Sequence, residues 1–148
     1  SLGEDVDYGY VGDVTGESVN AGFIYSLMER GIVPVFNAIN HDGEGNLLNT
    51  NADTMAAETA KALATVYDTT LIYCFELPGV MRDPEEAESL IATITGESYR
   101  QLLADGIISG GMIPKMENAF NAISNGVSKV IITKADAIDG TQGTHIIA

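Results

Sequence analysis

A single lysine behind two glycines is the feature of this sequence best suited to chemistry. The segment from Gly110 to Lys115 reads GGMIPK in a strongly acidic chain, and Lys115 is the only basic residue between Arg100 and Lys129. Pro114 is favoured at the first position of a helix, which places Lys115 in the first turn, beside unpaired backbone N–H groups and the positive end of the helix dipole. A cation there is unfavourable for the helix alone. The segment therefore predicts an anion bound jointly by the N–H groups and the ammonium.

Amide and carboxylate side chains open another predicted helix. Asn49, Asn51 and Asp53 occupy alternate positions at the start of an alanine-rich stretch. A capping Asn51 and an acidic residue in the first turn are typical of a helix start, which accounts for Asn51 and leaves the role of Asp53 open. Asn49 lies upstream of the cap. Amide and carboxylate groups at such a turn could contact a polar substrate or orient a lysine.

Composition limits what these residues can serve. At 148 residues, 45% of them apolar, the chain is long enough for one domain with a substantial core. Its net charge of −14 argues against nucleic acid and anionic membranes as partners, so an anionic ligand needs a local positive site or a metal ion. No apolar run approaches the ~20 residues that span a bilayer. The acidic start differs from a signal peptide, and we expect a cytoplasmic protein.

The other reactive side chains have simpler interpretations. Cys74 lies in an apolar run and is interpreted as a small core residue rather than a nucleophile. His41 falls in a polar turn as a solvated residue, with a substrate-lid role as the alternative, and His145 is interpreted as structural. Arg82 is either a solvated loop charge or a phosphate or ribose contact. The histidines and the cysteine lack metal-ligand spacing, so no protein-held metal site is predicted.

Alternating helix and strand patterns must position these groups. Helical patterns cover 18–30, 51–67, 96–105 and a stretch opened by Pro114, and apolar strand patterns cover 32–36, 70–75, 127–133 and 144–148, with a polar hairpin tip at 41–46. This alternation predicts an α/β fold, a three-layer sandwich with a mainly parallel central sheet flanked by helices. Ligands bind at the carboxyl ends of strands in such sheets. The candidate sites there follow Phe36, follow Phe75 and lie at 107–115.

Three segments, in their order and spacing, resemble the acetylglutamate kinases of the amino acid kinase family. They are Asn49–Asp53, Glu76–Val80 and Ile107–Lys115. Residues 9–15 and 31–35 also fit the family's pattern, so the resemblance covers nearly the whole chain. It implies one domain over residues 1–148 that corresponds to the carboxyl-terminal, nucleotide-binding half of the family's fold.

The resemblance also implies a role for each segment. ATP, with magnesium, would phosphorylate the side-chain carboxylate of N-acetyl-L-glutamate or another N-acylglutamate, a step of arginine biosynthesis. Lys115 would stabilise the transition state, Asp53 would orient the catalytic lysines, and Asn49 would bind the acylated glutamate. The nucleotide pocket would be lined by Glu76, Leu77, Pro78, Gly79, Val80, Met81, Ile107, Ile108 and Ser109.

Part of the family's machinery is expected to lie outside this chain. By resemblance, the amino-terminal half supplies a second lysine, a glycine-rich phosphate-binding turn and a substrate arginine, and none has a counterpart here. We therefore expect an isolated half with negligible kinase activity, which self-associates as a homo-oligomer through an exposed sheet edge. The alternative is a non-catalytic nucleotide-binding or regulatory module that needs a partner chain.

Overall fold

A four-stranded sheet is the centre of the computed structural model, which describes residues 9–148 and leaves the acidic start, residues 1–8, outside the described part. The helices are α1 (Ala21–Met28), α2 (Ala52–Leu63), α3 (Gly96–Ala104) and α4 (Met112–Ser124). The strands are β1 (Ile39–His41), β2 (Leu47–Asn49), β3 (Thr70–Phe75), β4 (Thr93–Ile94), β5 (Lys129–Lys134) and β6 (Thr144–Ile146). None of the described helices has the length and apolar character needed to cross a bilayer.

The sheet has the order β3-β5-β6-β4, and β1 and β2 form a separate antiparallel hairpin. Strands β3 and β5 are parallel, as are β4 and β6, whereas β5 and β6 are antiparallel. The predicted α/β class with a mainly parallel sheet flanked by helices is confirmed. The antiparallel pair follows from its short connection, since a parallel return needs a crossover of about a dozen residues or more. The connection between β5 and β6 covers residues 135–143, and its one regular element is a 3-10 turn, Ala135–Ala137.

Local signals fix several of the element boundaries. The Asn51 side chain accepts a hydrogen bond from the Thr54 N–H at 3.0 Å and caps α2, as predicted. A reciprocal capping box between Thr95 and Ser98 starts α3. Gly106 follows α3 with a φ of +71°, the left-handed conformation that ends helices. These signals hold α2 and α3 close to their predicted spans.

The core lies between the sheet and helices α2 and α4. Val130, Ile132 and Ile146 of the sheet are fully buried, and Met116 of α4 packs with them. The two helices contribute small side chains to this cluster, namely Ala57, Ala60, Ala119 and Ala122. Alanine at these positions lets the helix backbones approach closely, which brings the starts of α2 and α4 together.

The predicted strand over 32–36 does not form. Among the described residues, this segment pairs with no strand, and all its side chains except the half-buried Pro34 are exposed, Val33 to 83% and Val35 to 91%. Apolar residues form a stable strand only when another strand accepts their hydrogen bonds, and Pro34 removes one donor from the run. The prediction was therefore wrong for the described fold.

The prediction of a buried Cys74 was also wrong. Leu71 and Tyr73 point from β3 toward the helices and are buried, whereas Cys74 lies on the other face and is exposed. Side chains alternate between the faces of a strand, and only one face of β3 is covered. The thiol is consequently open to solvent.

Candidate functional site

The starts of α2 and α4 bring Asp53 and Lys115 into an ion pair. The two residues are 62 positions apart in the sequence, and Lys115 Nζ donates to Asp53 Oδ2. Their side chains are 16% exposed for Lys115 and 32% exposed for Asp53, so the pair is shielded without being sealed from solvent. Asp53 lies in the first turn of α2, where the helix dipole favours a negative charge. The ammonium thus has a fixed partner and an open side.

Helix α4 begins two residues earlier than Pro114, which corrects the prediction for this segment. Pro114 is the third residue of the helix, and Lys115 still falls in the first turn. The N–H groups of Met112 and Ile113 already donate to carbonyl oxygens in tight turns, at 3.2 Å each. Pro114 has no N–H. These three positions offer no free donor to an anion, so the Lys115 ammonium is the main positive group of the segment.

The glycines before α4 border open space. Gly110 has a φ of +53°, a conformation that L side chains rarely adopt, and Gly111 caps the helix without a side-chain hydrogen bond. A Cβ atom placed on either glycine would meet no heavy atom within 4 Å. The loop therefore presents bare backbone to the space in front of the helix.

Tyr73 of β3 lies beneath the ion pair and was not singled out by the sequence. The centroid of its ring is 5.5 Å from Lys115 Nζ, and its hydroxyl donates to the main-chain oxygen of Asp53 at 3.1 Å. Burial, followed by the charges of Asp53 and Glu58, raises the pKa of Tyr73, so the phenol stays protonated and remains a donor. The only sequence signal was alternation, which places Tyr73 on the same face of the strand as Leu71.

The turn after β3 is fixed by a threonine from the other end of the chain. The Thr144 hydroxyl accepts from the Val80 N–H at 2.8 Å and donates to the Ile91 oxygen at 2.7 Å. Gly79 passes so close that a Cβ atom there would lie 2.6 Å from Thr144 Oγ1. We call these two hydrogen bonds of Thr144 the clamp. The sequence predicted a ligand-binding turn here but gave no sign that Thr144 would hold it.

Burial divides the predicted nucleotide-lining residues into two groups. Val80, Met81 and Ile108 are at most 7% exposed and belong to the interior. Gly79 is buried with them against the clamp. The remaining members of the set are half-buried or exposed, and they are Glu76, Leu77, Pro78, Ile107 and Ser109.

Asn49 ends β2 with an exposed side chain. Its main chain is held on both sides, because Asn49 N–H donates to the Tyr10 oxygen at 2.8 Å and its oxygen accepts from Gly12 N–H at 3.0 Å. The buried Thr50 fixes the following turn, since its hydroxyl donates to the Gly12 oxygen and accepts from the Asn40 amide. The backbone is thus fixed next to α2, while the amide group of Asn49 faces solvent.

The remaining titratable residues build no metal centre in the described part of the chain. No group of three or more His, Cys, Asp and Glu side chains within residues 9–148 is arranged to hold a metal ion. His41 Nδ1 accepts from the Gly43 N–H at 3.1 Å in the exposed hairpin turn. His145 is half-buried in β6, and Arg82 is exposed.

Comparison with known proteins shows one consistent relationship. Residues 3–134 match the model of the amino acid kinase family. The chain is 58% identical over 143 residues to the acetylglutamate kinase of Phocaeicola vulgatus and 54% identical over 143 residues to that of Bacteroides thetaiotaomicron. Each alignment covers 97% of this chain and 55% of the relative. The chain therefore spans about half the length of the curated relatives it matches.

Solved structures show the same fold. The smu.665 protein of Streptococcus mutans superposes with a TM-score of 0.78 at 33% identity, and the alignment covers 100% of this chain and 55% of that one. An N-acetylglutamate synthase of Neisseria gonorrhoeae, in complex with coenzyme A and L-arginine, superposes with a TM-score of 0.80 at 20% identity, covering 98% of this chain and 34% of that one. A carbamate kinase from Giardia gives a TM-score of 0.63 at 20% identity, with coverages of 86% and 47%.

Proposed function

Because the chain belongs to the amino acid kinase family, we propose that it is the nucleotide-binding half of an acetylglutamate kinase. Residues 1–148 would then act as one domain within an enzyme of its relatives' length, called the full-length enzyme below. The observation that carries the proposal is the Lys115–Asp53 ion pair, which joins two separate motifs at the starts of adjacent helices. The 58% identity to an acetylglutamate kinase supports the substrate class.

The proposed reaction transfers the γ-phosphoryl group of ATP to the side-chain carboxylate of N-acetyl-L-glutamate. A carboxylate oxygen attacks phosphorus, the bond from phosphorus to the bridging oxygen of ADP breaks, and an acyl phosphate forms. A carboxylate is already a nucleophile, so no general base is needed. Catalysis then consists of positioning the reactants and neutralising charge on the transferring group.

Lys115 supplies that charge in our proposal. Its ammonium is compact, carries three donors and can follow phosphate oxygens as they move. One donor is engaged by the Asp53 carboxylate, which holds the nitrogen at the open side of the site. The other two are left to bind the β–γ region of the nucleotide as negative charge develops on the leaving side.

In this proposal the nucleotide and the acylated glutamate contact different segments of the chain. The half-buried and exposed members of the predicted lining contact the base and ribose of ATP, whereas Gly79, Val80, Met81 and Ile108 support them from the interior. Asn49 offers its exposed amide to N-acetyl-L-glutamate, adjacent to the start of α2. Both substrates then approach the Lys115 ammonium from its open side.

Magnesium fits this site as an ion that arrives with ATP. The described residues form no carboxylate cage, and the Asp53 carboxylate is already paired with Lys115. Magnesium commonly keeps several waters and binds through substrate phosphates. When bound, it would neutralise part of the phosphate charge. We further propose that the enzyme is cytoplasmic and forms a homo-oligomer.

A calorimetric titration of the 148-residue chain with magnesium-ADP tests the nucleotide assignment. We expect saturable binding that Lys115→Ala weakens about tenfold, the loss expected for one charge-assisted hydrogen bond. Lys129→Ala is the matched control. Lys129 is exposed at the amino end of β5, whereas ligands bind at the carboxyl ends of the strands, so this substitution should leave the affinity unchanged. An affinity for magnesium-ADP that Lys115→Ala leaves unchanged would contradict the proposed site. A folded chain that binds no nucleotide would place the nucleotide site outside this chain.

The catalytic assignment needs the full-length enzyme. We expect ATP-dependent formation of an acyl phosphate from N-acetyl-L-glutamate, measured as hydroxamate after trapping with hydroxylamine. Nucleotide binding without turnover in the full-length enzyme would favour the alternative of a non-catalytic or regulatory module.

A further inference from the structure

Tyr73 makes contact with both members of the Lys115–Asp53 pair. Its side chain projects from β3 toward the helices, and the residue is only 4% exposed. Lys115 Nζ lies over the ring at 5.5 Å from its centroid, within the ~6 Å over which a cation is attracted by an aromatic ring. Because the Lys115 side chain is largely shielded from solvent, the ring takes the place of water on the protein side of the ammonium.

The hydroxyl of Tyr73 fixes the ring in this position. It donates to the main-chain oxygen of Asp53 at 3.1 Å, in the first turn of α2. The same residue binds Lys115 through its carboxylate. Ring, carboxylate and ammonium therefore meet at one turn of one helix, and the burial of the Tyr73 side chain holds the ring there as well as the hydrogen bond does.

We propose that Tyr73 is a positioning residue, which holds the Lys115 ammonium beneath the transferring phosphoryl group. The inference rests on the proposed function of Lys115. A neutral ring suits this task better than a further carboxylate, because it attracts the cation without cancelling its charge. The attraction is also weakly directional, which lets the ammonium adjust as the phosphate oxygens move.

A purely structural tyrosine would fill the same volume. The test must therefore change the electron density on the face of the ring while keeping its shape. In the full-length enzyme, Tyr73→Phe is the starting variant, and phenylalanine analogues with one, two and three ring fluorines follow at the same position. Fluorine withdraws electrons from the face of the ring and weakens cation–π attraction at nearly constant shape. The matched control is the same series at Tyr99, a partly buried tyrosine whose ring is tilted by 40° against that of Phe120, with the ring centroids 5.3 Å apart.

We expect kcat to fall stepwise with each fluorine at position 73, by about tenfold over the series. The KM values for ATP and N-acetyl-L-glutamate should stay within about twofold, since the ring touches the lysine and not the substrates. The Tyr99 series should show no trend. A flat kcat along the Tyr73 series in an active enzyme would overturn the inference while the proposed function stands.

A second measurement does not depend on catalysis. In NMR spectra of the 148-residue chain, the Hε protons of Lys115 should show an upfield ring-current shift in the wild type and in Tyr73→Phe. Tyr73→Leu should abolish this shift, and Tyr99→Leu should preserve it. Identical Lys115 signals in the wild type and in a folded Tyr73→Leu would refute the contact. An inactive full-length wild type would remove the proposed function, while the NMR result would still decide whether the ring holds the ammonium.

Discussion

Helices α2 and α4 meet at Lys115, and they begin in opposite ways. Helix α2 has a side-chain cap from Asn51 and an acidic residue, Asp53, in its first turn. Helix α4 starts at a glycine cap that has no side-chain hydrogen bond, and its first turn carries a cation. The first start has both a capping side chain and a charge that suits the helix dipole, whereas the second has neither.

This difference shows how the two starts divide their tasks. The start of helix α2 is capped by the Asn51 side chain, so the Asp53 carboxylate is not needed as a cap and can pair with Lys115. Helix α4 accepts an unfavourable charge, which that carboxylate compensates. Local rules are commonly violated at functional sites and compensated elsewhere, and here the compensation comes from the neighbouring helix.

Removal of the α4 cation should have the largest effect on chemistry. In the full-length enzyme, Lys115→Ala should lower kcat by about 10²–10³, the usual loss for one transition-state charge contact. The rise in KM for ATP should be far smaller, and thermal stability should change little. Steady-state kinetics and a melting curve check this expectation, with Lys129→Ala as the control. An equal loss that came entirely from weaker ATP binding would refute the transition-state role.

Removal of the α2 charge should have the next largest effect. Asp53→Asn keeps the size of the side chain but ends the ion pair, and we expect kcat to fall by about 10–10² because the ammonium loses its anchor. Double-mutant kinetics with Lys115→Ala measure the coupling. If the two losses simply add, Asp53 does not act through Lys115.

Removal of the exposed Asn49 amide, which precedes α2, should change the KM for only one of the two substrates. Asn49→Ala should raise the KM for N-acetyl-L-glutamate about tenfold, as expected for a lost hydrogen bond, and leave the KM for ATP unchanged. Titration of each substrate at saturating levels of the other separates the two constants. An unchanged value for N-acetyl-L-glutamate would remove Asn49 from the substrate site.

Removal of the α2 cap should have the smallest effect on chemistry and a measurable effect on stability. Asn51→Ala should lower the free energy of unfolding by about 1 kcal/mol, because the Thr54 N–H loses its acceptor. Denaturant unfolding of the chain measures this change, and Asn51→Asp should restore most of it. If Asn51→Ala instead abolished catalysis at unchanged stability, the division of tasks between the two helix starts would be wrong.

The sequence predicted those parts of the fold that local chemistry determines. Residues 70–75 and 32–36 are apolar runs of similar length, and both were predicted as strands. The first became β3 with the predicted bounds because β5 accepts its hydrogen bonds. The second pairs with no strand among residues 9–148. A pattern of apolar residues indicates that a segment can form a strand, but the presence of a partner strand is a property of the whole fold.

The candidate site divides in the same way. Lys115 could be singled out because it stands at a helix start with distinctive neighbours, whereas the helix start alone left the role of Asp53 open and the family resemblance supplied it. Tyr73 could not be singled out, since a tyrosine in an apolar strand is ordinarily a core residue. The clamp of Thr144 on Val80 was equally hidden, because it joins positions 64 apart through one hydroxyl. Contacts between distant segments arise only when the sheet forms.

The exposed Cys74 gives this protein a built-in attachment point for a reporter group. It is the sole cysteine of the chain, it follows Tyr73 directly, and its thiol is on the uncovered face of β3. A maleimide fluorophore would therefore label one position without mutagenesis, two residues before the turn proposed to bind nucleotide. Ligand addition could then be followed optically in real time, at protein concentrations far below those that calorimetry needs.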